Sequence, residues 1–191
     1  MNYLAHLYLS DADDHHRLGN LAGDWIKGRL EHHTLPDRVL DGARRHRFVD
    51  SVSDRHPATA VARSYLGPDR RRAAGIILDM VNDHFLVRHW DDYASTPLPR
   101  FLDNAYGSLE RTRALWPAGG ERMMERMIRD DWLSSYGDLE IISMALERIA
   151  MRMRRDPGLG DTLPLLRREY GALEEQFHRL MDDLRRELHP R

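Results

Sequence analysis

Apolar positions recur every three or four residues along most of this chain, which is the period of an amphipathic α-helix. The last segment shows the pattern most clearly, because arginine and glutamate fill the face opposite its apolar residues. Those apolar residues are Leu163, Leu166, Tyr170, Leu173, Phe177, Leu180, Leu184 and Leu188. Sustained period-two alternation, the mark of a half-buried strand, is nearly absent. The pattern predicts an all-α protein, with a coiled-coil dimer through the last helix as a weaker alternative.

Proline and glycine divide the chain into helix-sized segments. With these residues as boundaries, the pattern predicts helices near 11–28, 37–54, 58–66, 69–93, 98–115, 120–131, 137–154 and 163–188. The breakers are typical of turns between helices, and no repeat or linker separates the segments. A chain of 191 residues is long enough for one domain with its own core. We therefore expect a single-domain helical bundle over residues 1–191.

Two aspartates lie in the most apolar of these predicted helices. Apolar side chains surround the helix axis over residues 76–86, which indicates a buried helix. Asp79 and Asp83 are four residues apart and share a face, and His84 points to a neighbouring sector. Two carboxylates on one face repel each other unless a cation lies between them or they share a proton. A divalent metal and an arginine inside the bundle are both open as the partner.

The predicted 37–54 helix carries His46 and Asp50 four residues apart, opposite an apolar face. Taken alone, this pattern is more typical of a solvent-exposed helix surface than of a ligand set. It becomes a ligand set if it faces the acids of the 69–93 helix. Because the chain has no cysteine, such a site would contain only histidine and carboxylate ligands. These ligands suit Mn²⁺, Fe²⁺ or Mg²⁺ better than structural zinc.

A third polar set lies nearer the start of the chain. Asn20 and Asp24 are four residues apart among small residues, a pattern that helix packing with one surface acid produces more often than a binding site. His6 lies among apolar residues, where a lone histidine is usually a hydrogen-bonded core residue. Neither feature alone indicates chemistry.

Composition narrows the classes of function. The absence of cysteine excludes disulfides, zinc fingers and thiol catalysis. A net charge of −2 does not indicate nucleic-acid binding, and no apolar run approaches the roughly 20 residues of a membrane span. The first residues lack the basic start and apolar core of a signal peptide. We expect a cytoplasmic protein with no nucleic-acid or membrane partner, and the pattern fixes no oligomeric state.

Four motifs, in order along the chain, resemble the acyl-carrier-protein phosphodiesterase family. They are residues 1–7, residues 19–24, His46-Arg47-x-x-Asp50-x-x-x-Asp54-x-His56-Pro57 and Leu78-Asp79-x-x-x-Asp83-His84-Phe85-Leu86. Asp131-Trp132-Leu133-x-x-Tyr136 and the final helix extend the resemblance over nearly the whole chain. The resemblance implies an all-helical, HD-domain-like fold and hydrolysis of the phosphodiester that joins 4′-phosphopantetheine to a serine of acyl carrier protein.

The resemblance also implies a cofactor, Mn²⁺ or another divalent cation such as Mg²⁺ or Fe²⁺, which would activate water for in-line attack on phosphorus. The implied metal ligands are His46, Asp50, Asp79 and Asp83, followed by Asp24 and His84. The implied catalytic residues are Asp24, His46 and His84, the last as a general acid or base if it is not a ligand. The implied substrate-binding residues are His6, Asn20, Lys27, Arg44 and Arg47, with the basic ones contacting phosphate or docking the acidic carrier protein. The chain contains no His-Asp dipeptide, so the HD ligand scheme does not transfer directly.

Two other interpretations remain open. One is an HD-like phosphohydrolase that acts on nucleotides or on another phosphodiester. The other is a non-catalytic helical protein that binds acidic partners through arginine. Loss of phosphopantetheine from holo-carrier protein would favour the family activity over the other phosphohydrolase. Bound metal in the purified protein would argue against the non-catalytic binding protein.

Overall fold

The computed structural model describes residues 1–155 and 157–188, which contain twelve α-helices and three short 3-10 helices. The α-helices are α1 (Tyr3–Tyr8), α2 (Asp14–Leu21), α3 (Asp37–Arg55), α4 (Pro57–Tyr65), α5 (Ala74–Arg88), α6 (Trp90–Tyr93), α7 (Leu98–Arg111), α8 (Glu121–Arg129), α9 (Trp132–Ser135), α10 (Leu139–Ala150), α11 (Leu163–Arg168) and α12 (Tyr170–Leu188). The 3-10 helices are Leu30–His32, Pro68–Arg70 and Arg113–Leu115. Because no strand occurs in these residues, the all-α prediction is confirmed.

Several predicted helices are shorter than expected or broken. The predicted 11–28 helix begins only at Asp14, where the side chain of Asp13 caps it, and ends at Leu21. The predicted 69–93 helix is divided at His89 into α5 and α6, and the predicted 163–188 helix at Glu169 into α11 and α12. Helices α1 and α9, of six and four residues, are too short to produce a periodic signal.

The helices form two compact units. The first unit comprises Met1–Asn2, Ser51–Arg88 and Tyr136–Arg191, and the second comprises Tyr3–Asp50 and His89–Ser135. The expected single domain over 1–191 stays a prediction, and residues 156 and 189–191 of that range lie outside the described residues. None of the described helices is long and apolar enough to cross a membrane.

In the first unit, α12 packs against α4 and α5. Its buried residues include Leu173, Phe177, Leu180 and Leu184, which confirms the amphipathic face predicted for this segment. Phe177 lies against Phe85 of α5, with 5.7 Å between ring centroids. Full burial of such side chains is worth about 1.5–3 kcal/mol each, so this face fixes α12 on the unit.

In the second unit, two glycines allow the backbones of α2 and α3 to meet. A Cβ atom on Gly19 would lie 1.9 Å from the carbonyl oxygen of Val39, and one on Gly42 would lie 2.2 Å from that of His16. Both distances are far below van der Waals contact, so neither position accepts a side chain without a backbone shift. This approach places α2 directly against the first two turns of α3.

Candidate metal centre

Helices α1 and α3 place two histidines and an aspartate within ligand distance of one another. His6 lies on α1, while His46 and Asp50 lie one turn apart on α3. One ligand atom from each residue lies within 4.8 Å of the others. Both histidines are buried, and their rings stack with 4.1 Å between centroids, whereas the side chain of Asp50 is 40% exposed. The three residues form a cluster with two buried imidazoles and a carboxylate open to solvent.

Asn20 of α2 orients both imidazole rings. Its side-chain amide nitrogen donates to the carbonyl of His6 at 2.7 Å and to the hydroxyl of Ser10 at 2.9 Å. Its Oδ1 is therefore the acceptor that faces His6 Nδ1 at 3.0 Å, which places the ring hydrogen of His6 on Nδ1. The main-chain carbonyl of Asn20 accepts from His46 Nδ1 at 2.8 Å. One residue thus places a ring hydrogen on Nδ1 of both histidines and directs both Nε2 atoms toward Asp50.

The two Nε2 atoms face carboxylate oxygens. His6 Nε2 lies 3.2 Å from Asp50 Oδ1, and His46 Nε2 lies 3.1 Å from Asp50 Oδ2. Within the described residues, His6 Nε2 is buried and makes no hydrogen bond. A lone pair opposite a carboxylate oxygen is unfavourable unless a proton or a cation lies between them. Two imidazole nitrogens and a carboxylate are also a suitable donor set for a divalent cation such as Mn²⁺ or Fe²⁺.

The early end of α2 explains how Asn20 reaches His46. Asn20 is the penultimate residue of the helix, where carbonyls have no intrahelical partner. Had the helix continued through Asp24 as predicted, the carbonyl of Asn20 would bond to the Asp24 amide instead. Gly23 makes room for the ring, because a Cβ atom there would lie 2.2 Å from His46 Cγ.

The two histidines differ in proton affinity. Burial lowers the pKa of His6 to about 4, so this ring is neutral at pH 7. Burial also opposes protonation of His46, but the neighbouring carboxylates of Asp24 and Asp50 outweigh it and raise its pKa to about 9. Burial would raise the pKa of Asp50, but the close approach of His46 and His6 lowers that pKa well below its ordinary value. The cluster thus pairs one imidazolium with ionised carboxylates and keeps a second, neutral imidazole beside them.

The turn after α2 forms the exposed rim of this site. Asp24, 68% exposed, has Oδ1 3.7 Å from His46 Nε2, and the interaction with His46 lowers the pKa of this carboxyl. Lys27 Nζ lies 3.8 Å from the same Asp24 oxygen. Arg47 donates to the carbonyls of Ile26 and Gly28, each at 2.8 Å, and so fixes this turn.

Arg44, which was predicted to contact the substrate, lies on the exposed surface of α3 and is paired with Asp41 at 2.5 Å. Its predicted role in substrate binding stays a prediction.

The other predicted ligands lie on α5, in the first unit. Asp79 is not enclosed by apolar side chains as expected, because its side chain is 47% exposed and its Oδ1 contacts the amino nitrogen of Met1 at 2.8 Å. Asp79 was expected to pair with a metal or an arginine, and in the structure it pairs with the amino group of Met1 instead. Asp83, in contrast, is fully buried as predicted. Their joint role with His46 and Asp50 stays a prediction.

His84 has protein partners at both ring nitrogens. Its Nδ1 lies 2.8 Å from the carbonyl oxygen of Tyr136 and its Nε2 lies 2.9 Å from the hydroxyl of Tyr170. Burial lowers its pKa. These contacts favour a structural role for His84 in the first unit over the predicted ligand or acid–base role, which stays a prediction.

The role of one residue in the metal centre was underrated from the sequence, and that of another was missed. His6 was expected at most to support the site or contact substrate, yet it lies in the ligand cluster, and no local pattern relates it to His46, forty positions later. Ser10 holds the amide of Asn20 and has no sequence signal at all.

The family that matches this chain and the relatives similar to it carry the same name. Residues 1–184 match the family described as "Acyl carrier protein phosphodiesterase". Proteins of that name from Pectobacterium atrosepticum, Yersinia pestis and Serratia proteamaculans are 33%, 33% and 35% identical to the chain over 178 residues. Each alignment covers 93% of this chain and 92% of the relative. No solved structure matches the chain significantly, so the HD-like relationship stays a prediction.

Proposed function

Because the chain belongs to the acyl carrier protein phosphodiesterase family, we propose that it hydrolyses the phosphodiester between 4′-phosphopantetheine and a serine of acyl carrier protein. The products are apo-carrier protein and free 4′-phosphopantetheine. The observation that carries this proposal is the match over residues 1–184, together with relatives of that name that align over 93% of the chain. A cytoplasmic location is part of the same proposal.

His6 Nε2, His46 Nε2 and the carboxylate of Asp50 would hold a divalent cation, with Asp24 as the neighbouring carboxylate. We favour Mn²⁺ over Mg²⁺, because imidazole nitrogens suit Mn²⁺ or Fe²⁺ better than Mg²⁺, which prefers oxygen ligands and retained waters. When bound, the cation supplies a Lewis acid for the phosphoryl oxygen and lowers the pKa of a water molecule. Asp79 and Asp83 remain further candidates in this proposal.

Side chains of this protein would orient the imidazole ligands and transfer protons in the reaction. Asn20 holds the two imidazoles, so their Nε2 atoms stay directed at the reacting side of the pocket. Asp24 Oδ1 is an exposed oxygen beside this pocket and would accept the proton that the attacking water loses. The new P–O bond forms as the bond to the serine oxygen breaks. The serine alkoxide then takes a proton from Lys27 Nζ or from solvent.

Exposed cations at the rim would recognise the rest of the substrate. The ammonium of Lys27 is 78% exposed beside Asp24 and can contact the diester phosphate. Arg47 keeps the rim turn in place, and Arg44 adds positive charge for an acidic carrier protein. Such charges raise the rate of encounter more than the final affinity.

The experiment is incubation of holo-carrier protein with the enzyme and Mn²⁺, followed by intact-mass measurement. We expect loss of the phosphopantetheine mass, which chelation abolishes and Asp50→Asn reduces by at least a hundredfold. Asp37→Asn, an exposed acid in the first turn of the same helix, is the matched control and retains turnover. Turnover of a nucleotide diester with an unchanged carrier mass would instead support the other phosphohydrolase. Neither turnover nor bound metal would support the binding protein.

A further inference from the structure

A cleft of about 340 Å³ in the second unit begins beside the rim of the candidate metal centre. Its apolar walls come from α2, from the turn that follows it and from the segment after α7. The lining residues include Leu18, Trp25, Ile26, Leu35, Leu115 and Trp116. The volume lies within the range of small-molecule sites, roughly 300–1,000 Å³. The enzyme chemistry described above uses none of these side chains.

The cleft and the rim of the metal centre share one turn of the chain. Trp25 and Ile26 line the cleft, and in sequence they lie between Asp24 and Lys27 of the rim. His33 donates from Nε2 to the carbonyl of Lys27 at 2.7 Å, which ties the far wall of the cleft to the same rim turn. A ligand whose phosphate contacts Lys27 would therefore have to cross only this turn to reach the cleft.

The two tryptophans of the cleft are held differently. Trp116 is buried, donates from Nε1 to the carbonyl of Leu109 at 3.0 Å and lies under the guanidinium of Arg113 at 4.7 Å. Trp25 is half-buried and packs on Gly120, where a Cβ atom would lie 3.4 Å from its ring. Its indole N–H makes no hydrogen bond within the described part of the chain, and neither does the hydroxyl of Thr34 in the same cleft. The Trp25 indole and the Thr34 hydroxyl are thus available to a ligand in the cleft, which His33 also lines.

We propose that this cleft binds the pantetheine arm of the substrate while its phosphate lies at the metal centre; this inference rests on the proposed function. The arm combines a dimethyl group with a hydroxyl and two amides. The apolar walls suit the dimethyl group, and the Trp25 indole and the Thr34 hydroxyl can donate to the amide carbonyls. The cleft then makes the enzyme specific for the pantetheine side of the diester.

Two variants test the cleft. Ala114 is exposed on its wall, so Ala114→Phe fills the cleft without removing core packing, and Trp25→Leu removes the indole. We expect each to raise KM for holo-carrier protein about tenfold, the loss typical of an important contact residue. The ratio of kcat/KM for holo-carrier protein to that for bis(4-nitrophenyl) phosphate, which has no arm, should fall by a similar factor. Trp132→Leu, a tryptophan outside the cleft, is the matched control and leaves the ratio unchanged.

Binding of free pantetheine supplies a second readout that needs no hydrolysis. We expect saturable quenching of tryptophan fluorescence in the metal-free wild type, absent in Ala114→Phe, with melting curves confirming that each variant folds. The inhibition constant of apo-carrier protein should stay constant in the variants, because apo-carrier protein has no arm. If that constant rises together with KM, the cleft binds the surface of the carrier protein instead of the arm, and the proposal is overturned.

The remaining outcomes separate this inference from the proposed function. An unchanged KM and an unchanged specificity ratio in both folded variants would refute the cleft assignment while hydrolysis continues. Pantetheine quenching that is lost in Ala114→Phe, without hydrolysis of holo-carrier protein by the wild type, would support the cleft and refute the proposed function.

Discussion

Gly23 is the position where one added carbon atom tests the metal centre most sharply. In Gly23→Ala the new Cβ would lie 2.2 Å from His46 Cγ, whereas carbon atoms pack at about 3.5–4.0 Å. The His46 ring must therefore move by about 1.3 Å or more. A shift of that size breaks its 2.8 Å hydrogen bond to the carbonyl of Asn20, since such bonds rarely exceed about 3.2 Å.

The expected cost has two parts. Overpacking typically costs about 1–3 kcal/mol of stability, so the variant folds with a lower melting temperature. Metal ligands tolerate displacements of only about 0.2 Å, and loss of a partner that orients a ligand typically weakens metal affinity 10–100-fold. We therefore expect the affinity for Mn²⁺ to fall by at least tenfold, and hydrolysis of holo-carrier protein with it.

Calorimetric titration with Mn²⁺ and thermal melting measure the two parts separately. Gly171→Ala is the matched control, because a Cβ atom there meets nothing within 4 Å on helix α12. It should stabilise the protein slightly, by about 0.4–1 kcal/mol, with unchanged Mn²⁺ affinity. If Gly23→Ala binds Mn²⁺ as tightly as the wild type, His46 does not hold the cation in the way described.

Three further substitutions give distinct outcomes. Asn20→Ala leaves His6 Nδ1 without its acceptor and should cost about 1–3 kcal/mol in a denaturant titration, with weaker Mn²⁺ binding; unchanged values for both would contradict its orienting role. The hydrogen bond from Arg111 lowers the pKa of Asp14 to about 2, below the ordinary 3.8, so its stabilisation is present above about pH 4 and is lost as the pH falls through about 2. Because both side chains are partly exposed, Asp14→Asn should cost about 0.5–1 kcal/mol at pH 7 and much less at pH 2, and a pH-independent difference would refute this. His84→Leu should lower stability by about 1–3 kcal/mol, because a hydrogen-bonded carbonyl loses its donor, with Mn²⁺ affinity within about twofold; a large loss of affinity would restore His84 as a ligand.

The periodic parts of the fold could be predicted from the sequence. The apolar face of α12 is buried where the spacing placed it, because a three-to-four-residue repeat over a long segment leaves few alternatives. The end of α2 could not be predicted in the same way. It depends on tertiary contacts, in which Gly23 makes room for His46 and the carbonyl of Asn20 bonds to that ring.

The candidate site was predictable only in part, for a related reason. The i,i+4 spacing of His46 and Asp50 indicates that they share a face of α3, and the structure places both in the cluster. Nothing local relates His6 to them, since its position depends on how α1 packs. The expectation that Asp79 is buried among apolar residues failed, because a helix that is apolar on average can still expose one face.

The most direct test of the central claim is anomalous diffraction at the manganese edge from crystals soaked in Mn²⁺. The account predicts a peak about 2.0–2.4 Å from His6 Nε2, His46 Nε2 and an Asp50 oxygen, within normal metal–ligand distances. A peak at Asp79 or Asp83 without the two histidines, or no peak at a Mn²⁺ concentration that supports hydrolysis, would contradict it.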